Sequence, residues 1–307
     1  MRVVKQDLMK MLGINTELKA FNKLEEEDLS YHLIEADEYN SEILNCIKRI
    51  QSDTQIVGTS ERTVVWENGW MENLVEFRKN LDTECLGPKY FHSGLPIRFC
   101  KNFIKSENPK FQITLDLLVK RCLFELYGTP YQNIYEFGCG TGYNQVVLHE
   151  MFPDKSLYGF DLTNSAVEIL KILREELGYN VTGKTFDFTK PDKSVQIADN
   201  SVVFTFAALE QIGEKNQAFI DYLVEQNVDT VVHLEPIVEL YDDNNLLDYL
   251  AKWFHTKRHY LSGLLPYLEK LQVDSKIEIE KIHRLHLGNH NHEGYTLIVW
   301  RPKKYSK

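Results

Sequence analysis

The most informative segment of this chain is Tyr135-Glu136-Phe137-Gly138-Cys139-Gly140-Thr141-Gly142-Tyr143-Asn144. It begins as an apolar strand and passes through three alternating glycines. Glycines at these positions let the backbone turn tightly and approach a ligand without an intervening Cβ. The turn from strand to helix also aims backbone N–H groups at any anionic group placed there. The segment therefore predicts a nucleotide-type binding loop at the end of a β-strand.

A second acidic strand end supports this interpretation. The run 156–160 is typical of a strand, and it ends in Asp161, nineteen residues after Gly142. A carboxylate at that distance is where the ribose of a nucleotide cofactor is held in a βαβ unit. A charge at a helix N-terminus is the alternative interpretation of Asp161, but its place at the end of a strand favours ribose binding.

The spacing of the glycines separates two kinds of cofactor. Dinucleotide-binding enzymes carry G-x-G-x-x-G, whereas here the spacing is G-x-G-x-G with Glu136 in front. That form resembles the first motif of class I S-adenosylmethionine-dependent methyltransferases, and the resemblance continues in order over roughly residues 130–302. A nicotinamide-dependent oxidoreductase is accordingly a poor alternative.

The resemblance implies a cofactor, S-adenosylmethionine, and a set of residues that bind it. In the family, an acid like Asp161 holds the ribose, and residues like Asp187 and Phe188 flank the adenine. Within this motif Glu136 is expected to face the methionine amino group or its bridging water, the alternative being an acid that caps the following turn. The full set implied is Glu136, Gly138, Cys139, Gly140, Thr141, Gly142, Asp161, Leu162, Asp187, Phe188 and Ala207. No metal is expected.

The order of the remaining segments predicts the architecture. From residue 130 onward, short β-branched and aromatic runs alternate with helical patterns, which indicates a doubly wound α/β sheet. The resemblance refines this to a Rossmann-like methyltransferase fold, a mostly parallel sheet with an antiparallel last strand, joined to an N-terminal helical domain. We expect a helical acceptor or lid region at 1–125 and a cofactor-binding domain at 126–307, with an insertion at 237–271. Glycines and prolines predict a loop or turn at 95–99, and 277–301 resembles a closing antiparallel hairpin.

Aromatic side chains cluster in the N-terminal region, at Trp66, Trp70, Phe77, Tyr90 and Phe91. The simpler interpretation of this cluster is the core of a helical subdomain. The alternative is a lid over the acceptor site, and the same aromatic surface would also suit a homodimer contact.

Methyl transfer to a hydroxyl group requires a base, because the pKa of the hydroxyl lies far above neutral. One candidate base is Glu210, which follows the fourth strand of the predicted sheet. Its neighbour Gln211 stands where many family members carry a histidine, so a base role at position 211 is not expected.

Histidines supply the other candidate bases, namely His255, His259 and His290. His255 and His259 are four residues apart in a helical run at 251–261, which predicts one solvated face that could meet a phosphate or carboxylate. For His290 and His292 the simpler interpretation is solvated polarity in a hairpin loop, and a role at the acceptor site is the alternative.

Composition limits the partners and the compartment. A net charge of −10 gives no electrostatic reason to bind nucleic acid. The five cysteines are scattered and odd in number, which favours a reducing compartment. No segment has the length and apolarity of a signal peptide or a membrane span, so a cytoplasmic location is expected.

The function expected is methylation of a small molecule or saccharide, at oxygen. The N-terminal region, the insertion and the segment Glu293–Pro302 resemble those of bacterial sugar O-methyltransferases of surface-polysaccharide pathways. Two alternatives stay open at this point. One is methylation of a macromolecule, RNA or protein, and the other is a methyltransferase-like scaffold without activity.

Overall fold

The computed structural model describes residues 1–89 and 94–303, so Tyr90 and Phe91 of the aromatic cluster lie outside the described residues. Its largest element is a seven-stranded sheet whose strands lie, in spatial order, as β6 (Val181–Thr185), β5 (Ser156–Asp161), β4 (Asn133–Phe137), β7 (Ser201–Phe206), β8 (Thr230–Glu235), β11 (Thr296–Pro302) and β9 (Ile277–Arg284). The first five strands are parallel, and β11 runs antiparallel between β8 and β9. The predicted Rossmann-like methyltransferase fold and its closing antiparallel hairpin are confirmed.

The parallel strands β7 and β8 are buried along their whole length. Strands covered by helices on both faces of a sheet are rich in apolar residues, as Val202, Val203, Val231 and Val232 illustrate. The covering helices are α5 (Phe111–Leu123), α6 (Tyr143–Met151), α7 (Asn164–Glu175), α8 (Gln217–Glu225) and α10 (Leu264–Val273). Because β4 to β8 all point the same way, their carboxyl ends meet at one edge of the sheet.

The N-terminal region is helical, but it also contains strands. Its helices are α1 (Lys5–Leu12), α2 (Lys23–Glu26), α3 (Ala36–Ser52) and α4 (Ser60–Asn80). A second, four-stranded sheet has the order β1 (His32–Leu33), β3 (Asn102–Lys105), β2 (Ile97–Phe99) and β10 (Leu287–Gly288). The loop predicted at 95–99 is therefore wrong for Ile97–Phe99. This strand has only three residues, which is too short for a clear alternating pattern. One of its two partner strands, β10, lies almost two hundred positions further along the chain, so the neighbouring sequence does not predict that pairing.

Helix α4 is fixed across the start of α7. The two carboxylate oxygens of Glu67 accept hydrogen bonds from the backbone N–H groups of Asn164, at 2.8 Å, and Ser165, at 3.0 Å. These are N–H groups of the first turn of α7, which have no partner within the helix, and a carboxylate also suits the positive end of the helix dipole. An ion pair between Arg78 and Glu168 adds a second link at 2.8 Å. The N-terminus of α7 is therefore capped by the side chain of Glu67, a residue of α4.

The insertion predicted at 237–271 contains α9 (Leu246–Arg258) and the start of α10. The helical run predicted at 251–261 is wrong at its end, because His259 takes a left-handed conformation with φ 56° and closes α9 at Arg258. None of the helices in the described part of the chain is both long enough and apolar enough to cross a membrane.

Candidate cofactor and acceptor site

A cavity of about 1260 Å³ lies at the carboxyl edge of the parallel strands. Its floor is formed by the residues that follow β4, β5, β6 and β7. Its other walls come from α4, from the buried side of α5, from the end of α9 and from the segment 287–295. The predicted cofactor residues Glu136, Gly138, Cys139, Gly140, Thr141, Asp161, Leu162, Asp187, Phe188 and Ala207 all line this cavity.

The glycine loop is held close to the neighbouring strands. The N–H groups of Gly138 and Cys139 both donate to the carbonyl oxygen of Phe160, at 2.6 and 3.0 Å. Gly138 has φ +78°, and a Cβ added there would stand 2.3 Å from the Cβ of Ala208, which no packed structure tolerates. Glycine at position 138 is therefore required by both conformation and space.

The third glycine of the motif has a different environment. Gly142 does not line the cavity, and a Cβ added there would stand 2.7 Å from a methyl group of Leu170 in α7. It begins α6 with φ +73°. Gly142 is thus placed for close packing of the loop against a helix, whereas Gly138 and Gly140 border the cavity.

Asp161 organises the loop that it faces. One carboxylate oxygen accepts from the N–H of Gly140 at 2.9 Å, and the other accepts from the N–H and the hydroxyl of Thr163 at 3.0 and 2.7 Å. Burial raises the pKa of this carboxyl above its ordinary value, and the bonds from Thr163 and Gly140 oppose the change. A carboxylate has about four lone-pair positions, so three bonds leave acceptor capacity for a ligand hydroxyl.

Glu136 is 1% exposed, and its two oxygens accept from the side-chain amides of Asn144, at 2.5 Å, and Gln145, at 2.8 Å. Burial raises the pKa of its carboxyl to about 7, and the nearby Lys120 ammonium partly opposes this. Lys120 itself lies 2.8 Å from Asp116 in a buried ion pair on the same wall. The hydrogen bonds to Glu136 come from neutral amides, so a bound cation would relieve part of the cost of burying its charge.

Two acids at the ends of neighbouring strands have unequal surroundings, Glu235 at the end of β8 and Glu210 after β7. Glu235 is fully buried, and its carboxylate accepts from the backbone N–H groups of Ala208, Leu209 and Glu210 at 3.0 to 3.3 Å. Glu210 is half-buried and lines the cavity. Burial and the Glu235 carboxylate together raise the pKa of Glu210 to about 8. Glu235 thus shapes the turn, and Glu210 is the acid available to a ligand.

Gln211 connects Glu210 to α4. Its side-chain Nε2 donates to Glu210 Oε1 at 2.8 Å, while its Oε1 accepts from Trp66 Nε1 at 3.2 Å and from an Arg62 Nη2 at 3.3 Å. The amide therefore fixes the orientation of Glu210 without being able to take a proton itself.

The described aromatic residues of the N-terminal region lie in two different places, one in the core and two at the cavity. Phe77 is fully buried in the core. Trp66 and Trp70 are half-buried, stack with ring centroids 5.1 Å apart and line the cavity. A Cβ on Gly140 would stand 3.1 Å from the Trp70 ring, so Trp70 packs directly over the glycine loop.

The histidines lie in surroundings different from those predicted. The expectation that His255 and His259 share a solvated face is wrong, because His255 is 2% exposed whereas His259 is exposed at the end of α9. Neither residue lines the cavity. The loop histidines His290 and His292 are buried rather than solvated, at 3% and 6% exposed, because the segment 287–295 packs against α3 and α9.

His292 is the histidine that links α9 to the cavity. Its Nδ1 lies 2.8 Å from Nε2 of His255, and its ring contacts Phe254 and Tyr260, which also line the cavity. Burial lowers the pKa of His255 to about 3 and that of His292 well below its ordinary value, so both rings are neutral at pH 7. His290 also lines the cavity, and its ring packs against Phe103 with Nε2 3.4 Å from Glu42.

Sequence reasoning missed two functional candidates, Arg62 and Lys120, which both line the cavity. The sequence analysis placed both residues in the helical region at 1–125, and nothing local shows which polar side chains of α4 and α5 turn toward the sheet. Within residues 1–89 and 94–303, no group of three or more histidines, cysteines or acids is arranged to hold a metal ion, and all five cysteines are free.

Comparison with known proteins gives weak structural similarities. No protein-family model matches the sequence, and no curated protein is significantly similar to it. An O-methyltransferase of a polyketide synthase from Brevibacillus brevis, in complex with S-adenosyl-L-homocysteine, has a TM-score of 0.45 and 14% identity over 63% of this chain and 76% of its own. The magnesium protoporphyrin IX methyltransferase from Synechocystis has a TM-score of 0.42 and 18% identity over 63% of this chain and 83% of its own. At these values the similarities say nothing about the acceptor.

Proposed function

We propose that this chain is an S-adenosylmethionine-dependent methyltransferase that methylates a hydroxyl group of a small molecule or saccharide. The observation that carries the proposal is the pair of buried acids, Glu136 and Asp161, on either side of a glycine loop at the carboxyl edge of the sheet. Both carboxylates keep acceptor capacity beyond the bonds that they make within the chain. These residues fit a ligand that carries an ammonium group and ribose hydroxyls.

Each residue then has a role in holding the cofactor. Glu136 would accept from the amino group of the methionine portion, and Asp161 would accept from the ribose. Phe188, which packs edge-on against Phe219 with ring centroids 4.7 Å apart, offers a face to the adenine. When bound, the sulfonium supplies a methyl group that is open to in-line attack by a nucleophile. The chain's own contribution is to hold the attacking oxygen in line with that methyl group.

Glu210 is the base in this proposal. Glu210 lines the cavity, and Gln211 fixes its orientation. The pKa of its carboxyl is raised to about 8, close to the value that suits a general base near neutral pH. Glu210 would accept the proton of the acceptor hydroxyl as the oxygen–carbon bond forms and the carbon–sulfur bond breaks, with S-adenosylhomocysteine as the leaving group. None of His255, His259 and His290 has a comparable position, since His255 and His259 do not line the cavity and the His290 ring packs against Phe103.

Features of the outer cavity favour a saccharide-like acceptor over a macromolecule. The aromatic residues Trp66, Trp70 and Tyr260 line the cavity together with polar residues such as Arg62 and Asn289. Pockets for polar ligands combine apolar faces with a few placed hydrogen-bonding groups in this manner. The net charge of −10 argues against a phosphate backbone as substrate.

We expect Glu210→Gln to lower kcat about a hundredfold, because a positioned general base contributes roughly 10²- to 10⁴-fold.

Only the ionised carboxyl accepts a proton, so for the unmodified chain kcat/KM should rise about tenfold per pH unit below the pKa of Glu210 and level off above it. The positive charge of a bound sulfonium stabilises the carboxylate, which puts the inflection at or below pH 8. The measurement is the release of S-adenosylhomocysteine with a panel of nucleotide sugars as acceptors.

Glu214→Gln is the matched control for this substitution. Glu214 is exposed, lies four residues from Glu210 and does not line the cavity, so its replacement should leave both kcat and the pH profile unchanged. Unchanged turnover in Glu210→Gln, or an unchanged inflection in its pH profile, would remove Glu210 from the mechanism.

A further inference from the structure

One wall of the cavity entrance carries positive charges. Arg49 lies near the end of α3, Arg62 in the first turn of α4 and Lys215 beyond Ile212, and all three line the cavity. Lys215 is placed against the α3–α4 connection, since its Nζ stands 4.0 Å from the position of a Cβ on Gly58. Within the described chain, no carboxylate lies within ion-pair distance of any of the three.

Asp53 and Glu210 line the same cavity, and within the described residues neither of them forms an ion pair with Arg49, Arg62 or Lys215. Asp53 accepts two hydrogen bonds from Arg258, at 2.7 and 2.5 Å, and so balances that guanidinium. Burial and the Glu235 carboxylate raise the pKa of Glu210 to about 8, and the Arg258 and Arg62 guanidiniums partly oppose this. The entrance is therefore a positive region inside a chain whose net charge is −10.

Arg62 is the central member of this group. Its Nη1 and Nη2 donate to the amide oxygens of Gln55 at 3.4 Å and Gln211 at 3.3 Å, both long for such bonds. Its Nε is buried without a hydrogen-bond partner, and its Cζ lies 5.0 Å from the centre of the Trp66 ring. Two long bonds to neutral amides orient the guanidinium, and within the described residues it forms no ion pair. The planar fork of arginine suits a carboxylate or a phosphate.

We propose that the acceptor carries an anionic group, a phosphate or a carboxylate, which is bound at the cavity entrance by Arg62 together with Arg49 and Lys215. This inference rests on the proposed methyltransferase function, because it describes the substrate of the same cavity. Gln211 contacts both Arg62 and Glu210. An anionic group of the acceptor that binds Arg62 would therefore hold the rest of the acceptor near Glu210. Nucleotide sugars and uronic acids carry such groups.

The test uses pyrophosphate and malonate as probes for the two chemistries. Each anion is titrated into the full chain by calorimetry at constant ionic strength, with and without saturating S-adenosylhomocysteine. We expect at least one of them to bind, the preferred anion identifying the chemistry, and Arg62→Gln to weaken binding about tenfold through loss of a charge-assisted contact. Arg78→Gln is the matched control, an arginine of the same helix that pairs with Glu168 away from the cavity.

The outcomes separate this inference from the proposed function. Binding of S-adenosylhomocysteine without binding of either anion overturns the anionic acceptor and leaves the methyltransferase proposal standing. Equal effects of Arg62→Gln and Arg78→Gln would also overturn it, since the anion would then respond only to the overall charge. Anion binding that depends on Arg62 but occurs without any binding of S-adenosylhomocysteine supports the anion site and contradicts the proposed function.

Discussion

Gly138→Ala should abolish cofactor binding and destabilise the chain by about 2–5 kcal/mol. The left-handed backbone at this position costs an alanine about 1–2 kcal/mol, and a new methyl group forced into a packed site costs about 1–3 kcal/mol more. The methyl group would stand 2.3 Å from Ala208, so the glycine loop or the segment after β7 must move. Both line the cavity. Calorimetric titration with S-adenosylhomocysteine and thermal unfolding measure the two effects.

Two further variants isolate the cause of this effect. Gly178 has φ +73° with nothing within 4 Å of an added Cβ, so Gly178→Ala should show the backbone cost alone and keep cofactor affinity. Replacing Ala208 by glycine in the Gly138→Ala background removes the clashing methyl group and should restore part of the affinity. Wild-type stability and binding in Gly138→Ala would contradict the close approach of these two segments.

Asp161→Ala should weaken cofactor binding at least tenfold, about 1.4 kcal/mol, and the loss has two sources. The ribose loses a charged acceptor. The buried N–H of Gly140 also loses its partner, as do the N–H and hydroxyl of Thr163, so the glycine loop is less well ordered before binding. The dissociation constant for S-adenosylhomocysteine is the quantity to measure.

Asp192→Ala is the control for Asp161→Ala. Asp192 accepts from the N–H of Ser194, two residues on, as Asp161 does from Thr163, but it is exposed and does not line the cavity. Its replacement should leave the dissociation constant unchanged. Equal affinities for the wild type and Asp161→Ala would mean that this carboxylate neither binds the ribose nor orders the loop.

The residues proposed to hold the cofactor could be grouped from the sequence because their signals are local. The glycines, Glu136 and Asp161 stand at strand ends whose positions follow from short apolar runs, and the parallel sheet brings those ends together. Local spacing does not distinguish a glycine that borders the cavity from one that packs against a helix. The position of Gly142 away from the cavity could therefore not be predicted from the motif.

The acceptor half depends on contacts between distant parts of the chain. Glu67 caps α7 from 97 positions away, and this contact fixes the helix that carries Arg62, Trp66 and Trp70. The burial of His255 likewise depends on the 287–295 segment, which packs against it. The polar composition of that segment predicts a solvated loop instead. Periodicity along one helix cannot report which face another segment will cover.

The most direct test of the proposed function is calorimetric titration of the purified chain with S-adenosylmethionine and, in parallel, with NADH. We expect micromolar binding of S-adenosylmethionine, roughly −8 kcal/mol, and no binding of NADH. Binding of NADH alone would contradict the assignment of the glycine loop. Absence of binding for both ligands would contradict the proposed function and favour a scaffold role for the fold.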